Sequence, residues 1–129
     1  YSNREELDTT IVNSLTKYNV EIIVMAGWMR VVTNVLISQY KNRIINIHPS
    51  LLPSLPGINS IKRALDSQLK ITGCTVHIVE PKVDSGEILV QAAVPILESD
   101  TEESLRDRIQ EQEHKIINIG LAEICSRIR

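Results

Sequence analysis

The sequence predicts an α/β fold, in which a layered sheet has parallel strands plus a C-terminal hairpin and carries helices on both faces. Helix and strand patterns alternate along the 129 residues, as in α/β domains. Short β-branched runs within 21–26 and 43–47 are typical of strands buried on both faces of a parallel sheet. Two later strand-like segments flank the turn motif Asp84-Ser85-Gly86, and this arrangement predicts the hairpin.

The first element is a predicted helix from Ser2 to Tyr18. Its apolar residues recur at helical spacing, and Ser2 and Glu5 have the spacing of a capping box. A strand is predicted from Glu21 to Ala26, where Gly27 interrupts the apolar run.

Further elements alternate in the same way. Thr33 is predicted to cap a short helix that ends near Tyr40. A strand follows from Arg43 to Ile47 and stops at His48-Pro49. The next segment, Pro49 to Gly57, holds three prolines and a glycine, so we expect an irregular loop there.

The second half begins with a predicted helix from about Asn59 to Leu69. Cys74 to Glu80 and Ile88 to Ile96 are predicted as the hairpin strands, joined by Pro81 to Glu87. Asp100 with Glu103 is predicted to open a long C-terminal helix, with a possible break near Gly120.

Composition excludes several classes of function. Hydrophobic residues make up 43% and charged residues 23% of the chain, which is ordinary for a globular domain. A net charge of −2 without a basic block argues against nucleic acid as a partner, and no apolar run is long enough to span a membrane. The start carries Arg4, Glu5 and Glu6 instead of a signal core, and Cys74 and Cys125 show no metal or redox spacing, so we expect a cytoplasmic protein.

The segment with the most chemistry is Asn46-Ile47-His48-Pro49. Strand alternation places Asn46 and His48 on one side at a strand end, where ligands bind in open α/β sheets. The amide could donate a hydrogen bond to an oxyanion, and the imidazole could transfer a proton. The alternative interpretation is a capping asparagine beside an ordinary surface histidine.

Asp84 is the second candidate, because a carboxylate near His48 would stabilise the imidazolium form. An ordinary turn aspartate remains the alternative. His77 is interpreted as a core or sheet-surface histidine, and His114 as part of a solvated helix face. The histidines and cysteines lack zinc spacing, and no glycine-rich phosphate loop is present, so neither a metal nor a dinucleotide is expected.

Taken together, the motifs resemble those of the glycinamide ribonucleotide formyltransferases, a family of folate-dependent formyltransferases. The matching segments are Ala26 to Arg30, Asn46 to Pro53, Pro56-Gly57, Gly73 to His77, Val83 to Gly86, Gln91-Ala92 and Arg108 to His114. Their order and spacing cover essentially the whole chain.

The resemblance implies formyl transfer from 10-formyltetrahydrofolate to the amine of glycinamide ribonucleotide in purine synthesis, without a metal. It implies a catalytic trio in which His48 transfers the proton, Asp84 raises the pKa of His48, and Asn46 stabilises the oxyanion. The folate co-substrate is expected at Arg4, Met29, Arg30, Val31, Val32, Asn46, Glu80, Pro81, Lys82, Val83 and Asp84. The nucleotide is expected at Gln110, Glu111, Gln112 and Glu113.

The resemblance also implies that residues 1–129 form a single formyltransferase domain that lacks the family's N-terminal phosphate-binding segment. We expect this polypeptide to be inactive or less stable alone for that reason. The alternatives are a sister enzyme, namely methionyl-tRNA formyltransferase or formyltetrahydrofolate hydrolase, and a non-catalytic fragment that keeps the fold. The sequence makes no prediction of oligomeric state.

Overall fold

The computed structural model describes residues 3–26 and 32–128, which form four helices and four strands. In chain order these are α1 (Arg4–Lys17), β1 (Ile23–Met25), α2 (Asn34–Gln39), β2 (Ile44–His48), α3 (Ser60–Asp66), β3 (Ile71–Ile78), β4 (Ile88–Pro95) and α4 (Glu102–Arg127). Every predicted element is therefore present, and the differences lie at the element ends and at Gly120 within α4.

The four strands form one mixed sheet in the order β1-β2-β3-β4. β1 and β2 are parallel, whereas β2–β3 and β3–β4 are antiparallel. The predicted α/β class and the hairpin are confirmed. The connection between β2 and β3 reverses the chain direction, so the described strands include a single parallel pair.

Helices cover both faces of the sheet, because neighbouring residues of β2 point to opposite sides. Ile45 and Ile47 join the larger core, which packs against α3 and α4. Ile44 belongs to the second core, formed with Met25, residues of α2 and the apolar side of α1. Two cores on opposite faces thus fix the sheet between two helical layers.

The predicted helix caps are each displaced by one residue at α1 and α4. Asn3 caps α1 by accepting from the backbone N–H of Glu6 at 2.7 Å, one residue after Ser2 of the predicted Ser2–Glu5 capping box, and Ser2 lies outside the described residues. At α4, Thr101 and Ser104 form the capping box, while the predicted Asp100 pairs with Arg108. The predicted cap of α2 at Thr33 is confirmed.

The long helix α4 continues through Gly120, so the predicted break is wrong. A Cβ atom at Gly120 would lie 2.6 Å from Cγ1 of Val76 in the central strand β3. The glycine therefore permits close packing of helix on sheet and does not end the helix. Across the described ranges, no helix combines the length and apolarity needed to cross a bilayer.

Candidate active site

The end of β2 places Asn46 and His48 side by side on one face of the sheet. In the antiparallel register, Asn46 lies opposite His77 and His48 lies opposite Thr75. Directly opposed residues share a face, so all four side chains project to the same side. His48 is 6% exposed, which places its imidazole inside the protein instead of on the surface.

Asp84 reaches this group from the connection between β3 and β4. Its Oδ1 lies 3.6 Å from Nδ1 of His48, and its Oδ2 accepts from the N–H of Gly57 at 2.8 Å. Asp84 has a φ of 54°, a left-handed conformation that aspartate tolerates. Gly86 lets the connection fold back closely, because a Cβ there would lie 1.5 Å from the carbonyl oxygen of Ile78.

His77 is a third member of the cluster that sequence reasoning assigned to the core or sheet surface. Its Nε2 lies 3.8 Å from Oδ1 of Asp84, and its Nδ1 lies 3.0 Å from the carbonyl oxygen of Ile78. Burial lowers the pKa of His77, and this effect outweighs the opposing influence of the Ile78 carbonyl and Asp84. The neutral ring then carries its hydrogen on Nδ1 and presents a bare Nε2. The position of His77 opposite Asn46 depends on the cross-strand register, which no local residue pattern indicates.

Two polar atoms of this cluster are buried without a hydrogen-bond partner in residues 3–26 and 32–128. They are Oδ1 of Asn46 and Nε2 of His77. A buried polar atom left unpaired costs free energy, typically about 1–3 kcal/mol. Both atoms belong to residues that line one cavity, and the atoms themselves are buried at its wall.

The cavity has a volume of about 760 Å³. It lies at the carboxyl ends of β1 and β2 and extends along the β3–β4 connection, the start of α3 and one side of α4. That position is where open α/β sheets bind ligands. Its volume falls in the range of small-molecule sites.

Many of the residues predicted from sequence line this cavity. They are Val32, Asn46, His48, Glu80, Pro81, Val83, Asp84, Gln110 and Glu113. Arg4, Lys82, Glu111 and Gln112 are described but are not part of the lining. Met29, Arg30 and Val31 lie outside the described residues.

Helix geometry explains why only two of the four residues from Gln110 to Glu113 line the cavity. Successive residues of α4 turn by about 100° around its axis, so only residues three or four apart share a face. Gln110 and Glu113 face the cavity, and Glu111 and Gln112 turn away from it. Burial raises the pKa of Glu113, against a smaller lowering by His114.

Two further charged side chains line the α4 wall and were not predicted. Arg106 donates to Glu102 at 2.8 Å, one turn earlier on the helix. The amphipathic pattern of α4 does not single them out, because exposed i, i+4 ion pairs are common on helices.

As a whole, the cluster can perform acid–base chemistry beside an anionic intermediate. His48 can take and return a proton, Asp84 can stabilise the protonated ring, and the Asn46 amide can bind a developing oxyanion. The three side chains meet within one cavity, which the sequence could not demonstrate.

Comparison with known proteins gives a consistent result. Residues 1–119 match the family described as Formyl transferase. The chain is 42% identical over 115 residues to a phosphoribosylglycinamide formyltransferase of Bacillus subtilis, covering 89% of this chain. It is 40% identical over 126 residues to a chicken protein called trifunctional purine biosynthetic protein adenosine-3, covering 98% of this chain.

Solved structures agree with these relatives. The crystal structure of a phosphoribosylglycinamide formyltransferase from Bacillus halodurans superposes with a TM-score of 0.94 at 39% identity, covering all of this chain. The chain spans 59% of the Bacillus subtilis protein, 13% of the chicken protein and 66% of the solved Bacillus halodurans chain. It therefore corresponds to part of each of these relatives.

Proposed function

The chain belongs to the formyl transferase family, and on that premise we propose that it carries the centre that transfers a formyl group from 10-formyltetrahydrofolate to the amine of glycinamide ribonucleotide. The observation that carries the proposal is the meeting of His48 and Asp84 beside Asn46 in the cavity described above. The relatives named phosphoribosylglycinamide formyltransferase support the choice of acceptor. The reaction belongs to de novo purine synthesis, and we place it in the cytoplasm.

The proposed chemistry is an acyl transfer. The amine nitrogen attacks the formyl carbon and forms a tetrahedral oxyanion, after which the bond from that carbon to the folate N10 breaks. The amine loses one proton and N10 gains one, so the transfer is balanced without an added oxidant or reductant. The products are the formylated amine and tetrahydrofolate.

His48 is the group we assign to that proton transfer. A positioned acid–base group contributes roughly 10² to 10⁴ in rate. Asp84 faces the ring within 3.6 Å, and an ionised carboxylate at that distance stabilises the imidazolium formed in the middle of the reaction. Asn46 is assigned to the oxyanion, and such a donor contributes on the order of 10² to 10³.

The part of the cavity assigned to the folate combines apolar and polar surface. Val32, Pro81 and Val83 supply apolar contacts, while Asn46 and His77 add polar side chains to the lining. A flat heterocycle with polar edges fits such a lining, because its faces need apolar contact and its edges need partners. The implied contacts at Arg4, Met29, Arg30, Val31 and Lys82 stay predictions.

The acceptor is assigned to the α4 side of the cavity. Gln110 and Glu113 lie one turn apart and face inward, where a carboxylate can accept from ribose hydroxyls. Because Glu113 is already largely removed from water, a hydrogen bond from the ligand would offset part of the cost of its charge.

The test is an assay of formyl transfer with glycinamide ribonucleotide, run beside an assay of donor hydrolysis without acceptor. Two proteins are compared: the chain itself, and the chain joined to the part of the Bacillus subtilis relative that it does not span, called here the extended protein. We expect acceptor-dependent transfer by the extended protein. The proposal is contradicted if the acceptor has no effect on the rate of donor hydrolysis, or if a folded extended protein is inactive.

A further inference from the structure

A single backbone carbonyl, that of Leu55, contacts the candidate catalytic histidine and two neighbouring serine side chains. It lies 2.9 Å from Nε2 of His48 and accepts from the hydroxyls of Ser60 at 3.0 Å and Ser50 at 3.2 Å. The Ser60 hydroxyl also lies 3.0 Å from the same Nε2 atom. Ser50, Ser60 and His48 are all buried.

These contacts determine which ring nitrogen carries hydrogen in the neutral state. A carbonyl oxygen can only accept, so an Nε2 atom 2.9 Å away must donate. A bare Nε2 would set its lone pair against the carbonyl in a buried place where repulsion is weakly screened. The Ser60 hydroxyl fits this assignment, since it can donate to Leu55 or Gly57 and still accept from Nε2–H.

The backbone is held in an uncommon conformation to make this contact. Leu55 has a φ of 53°, in the left-handed region that residues with a Cβ seldom adopt. The surrounding loop is fastened to the sheet by Thr75, whose hydroxyl donates to the Ser50 carbonyl at 2.7 Å and accepts from the N–H of Leu52 at 3.1 Å. Gln91 adds a bond from its amide to the Leu52 carbonyl at 2.9 Å.

We propose that the Leu55 carbonyl and Ser60 lock His48 as its Nε2–H tautomer, so that Nδ1 is the nitrogen that takes the proton from the amine and returns it to the folate nitrogen. Leu55 and Ser60 are positioning residues, because they act through His48. The inference rests on the proposed function for the identity of the proton donor and acceptor, but the tautomer itself is a property of the resting protein.

The geometry on the other side of the ring completes the argument. Nδ1 faces Oδ1 of Asp84 at 3.6 Å, which is longer than a hydrogen bond. A bare Nδ1 faces Asp84 at 3.6 Å, a less close opposition of lone pairs than a bare Nε2 would meet at 2.9 Å from the Leu55 carbonyl. Once Nδ1 has accepted a proton, the resulting N–H faces a carboxylate. The same short loop donates from Gly57 to the other oxygen of Asp84, so it orients both partners of the pair.

The direct test is nuclear magnetic resonance of the ring nitrogens in the full chain labelled with ¹⁵N-histidine, titrated until the neutral form of His48 dominates. His48→Gln identifies its signals. We expect Nε2 to carry the hydrogen of the neutral ring and Nδ1 to carry none. A neutral ring whose major form carries hydrogen on Nδ1 overturns the inference. Because the spectrum requires no turnover, it is independent of the activity assay that tests the proposed function.

A second test uses Ser60 in the extended protein, with Ser67→Ala as the matched control at the exposed end of the same helix. Ser60→Ala removes an acceptor that binds the charged ring more strongly than the neutral one, so the charged form of the ring should lose stabilisation. We expect turnover to fall about 3- to 10-fold and the acid limb of its pH profile to move to lower pH. Ser60→Thr, which keeps the hydroxyl, should restore the profile. An unmoved acid limb in Ser60→Ala contradicts the role of Ser60.

Discussion

The Nδ1 atom of His48 lies 3.6 Å from Oδ1 of Asp84, and the two side chains are only 8% and 7% exposed. They arrive from different elements, the end of β2 and the connection between β3 and β4. Largely excluded from water, an imidazole and a carboxylate at this distance influence each other far more than a surface pair would. This contact is the physical basis of the proposed proton transfer.

Glu113 should matter for the acceptor and not for the proton transfer itself. A hydrogen bond to a charged group contributes about 1.5–3 kcal/mol, so Glu113→Gln in the extended protein should raise the KM for the nucleotide about 10- to 100-fold. The kcat should change much less. Steady-state kinetics measure both constants. Glu111→Gln is the matched control, because Glu111 is exposed on another side of α4; equal effects of the two substitutions would contradict the assignment.

The buried carboxyl of Glu113 should also make the stability of the chain depend on pH. Burial raises the pKa of this carboxyl, so its ionised form is disfavoured in the folded chain. The contribution of Glu113 to stability is therefore present below its unfolded pKa and lost as the pH rises through the folded pKa. Compared with the parent chain, Glu113→Gln should be more stabilising at pH 7.5 than at pH 4, as measured by urea unfolding. A variant that loses stability with rising pH as the parent does would contradict this expectation.

His77 should make the stability of the chain depend on pH in the opposite direction. Burial lowers its pKa from 6.5, so the unfolded chain binds this proton more readily than the folded one. The contribution of the neutral ring is present above about pH 6.5 and lost as the pH falls through the folded pKa. Between pH 7.5 and 5.5, urea unfolding should show a larger loss of stability in the parent chain than in His77→Gln.

The control for His77 is His114→Gln, which removes an exposed histidine from α4. Its effect on the loss of stability between pH 7.5 and 5.5 should be smaller than that of His77→Gln. Identical curves for the parent and His77→Gln would show that burial of the His77 ring does not govern acid sensitivity.

Gly120 offers a test of the packing that places α4 beside the cavity. In Gly120→Ala the new Cβ would meet Cγ1 of Val76 at 2.6 Å. Overpacking costs about 1–3 kcal/mol, and the better helix propensity of alanine offsets about 1 kcal/mol, so we expect a net destabilisation of up to about 2 kcal/mol. In a Val76→Ala background the same change should be neutral or stabilising. Equal destabilisation in both backgrounds, measured by urea unfolding, would contradict the contact.

The sequence predicted most of the fold because its strands and helices have clear periodicities. The apolar runs of β1 and β2 and the turn before β4 identified the sheet elements. Element ends were less accurate, since Asn3 and Thr101 compete with neighbouring polar residues as caps and the backbone conformation decides between them. Gly120 misled the prediction because a glycine can serve helix-to-sheet packing as well as helix termination.

The candidate site was predictable in part. Alternation placed Asn46 and His48 together from the sequence alone, and the structure brings Asp84 to them. The positions of His77 and Leu55 depend on cross-strand register and on a left-handed loop residue, and neither follows from local residue patterns. Long-range pairing of this kind is fixed only when the sheet assembles.

The most direct measurement of the central claim is a double-mutant cycle of turnover in the extended protein, with His48→Ala, Asp84→Ala and the two combined. If His48 transfers the proton and Asp84 acts through it, the His48 substitution should lower kcat about 10²- to 10⁴-fold, and the double variant should be no slower than the His48 variant. Folded variants with near-normal turnover, or a double variant whose loss equals the product of the two single losses, would contradict the account.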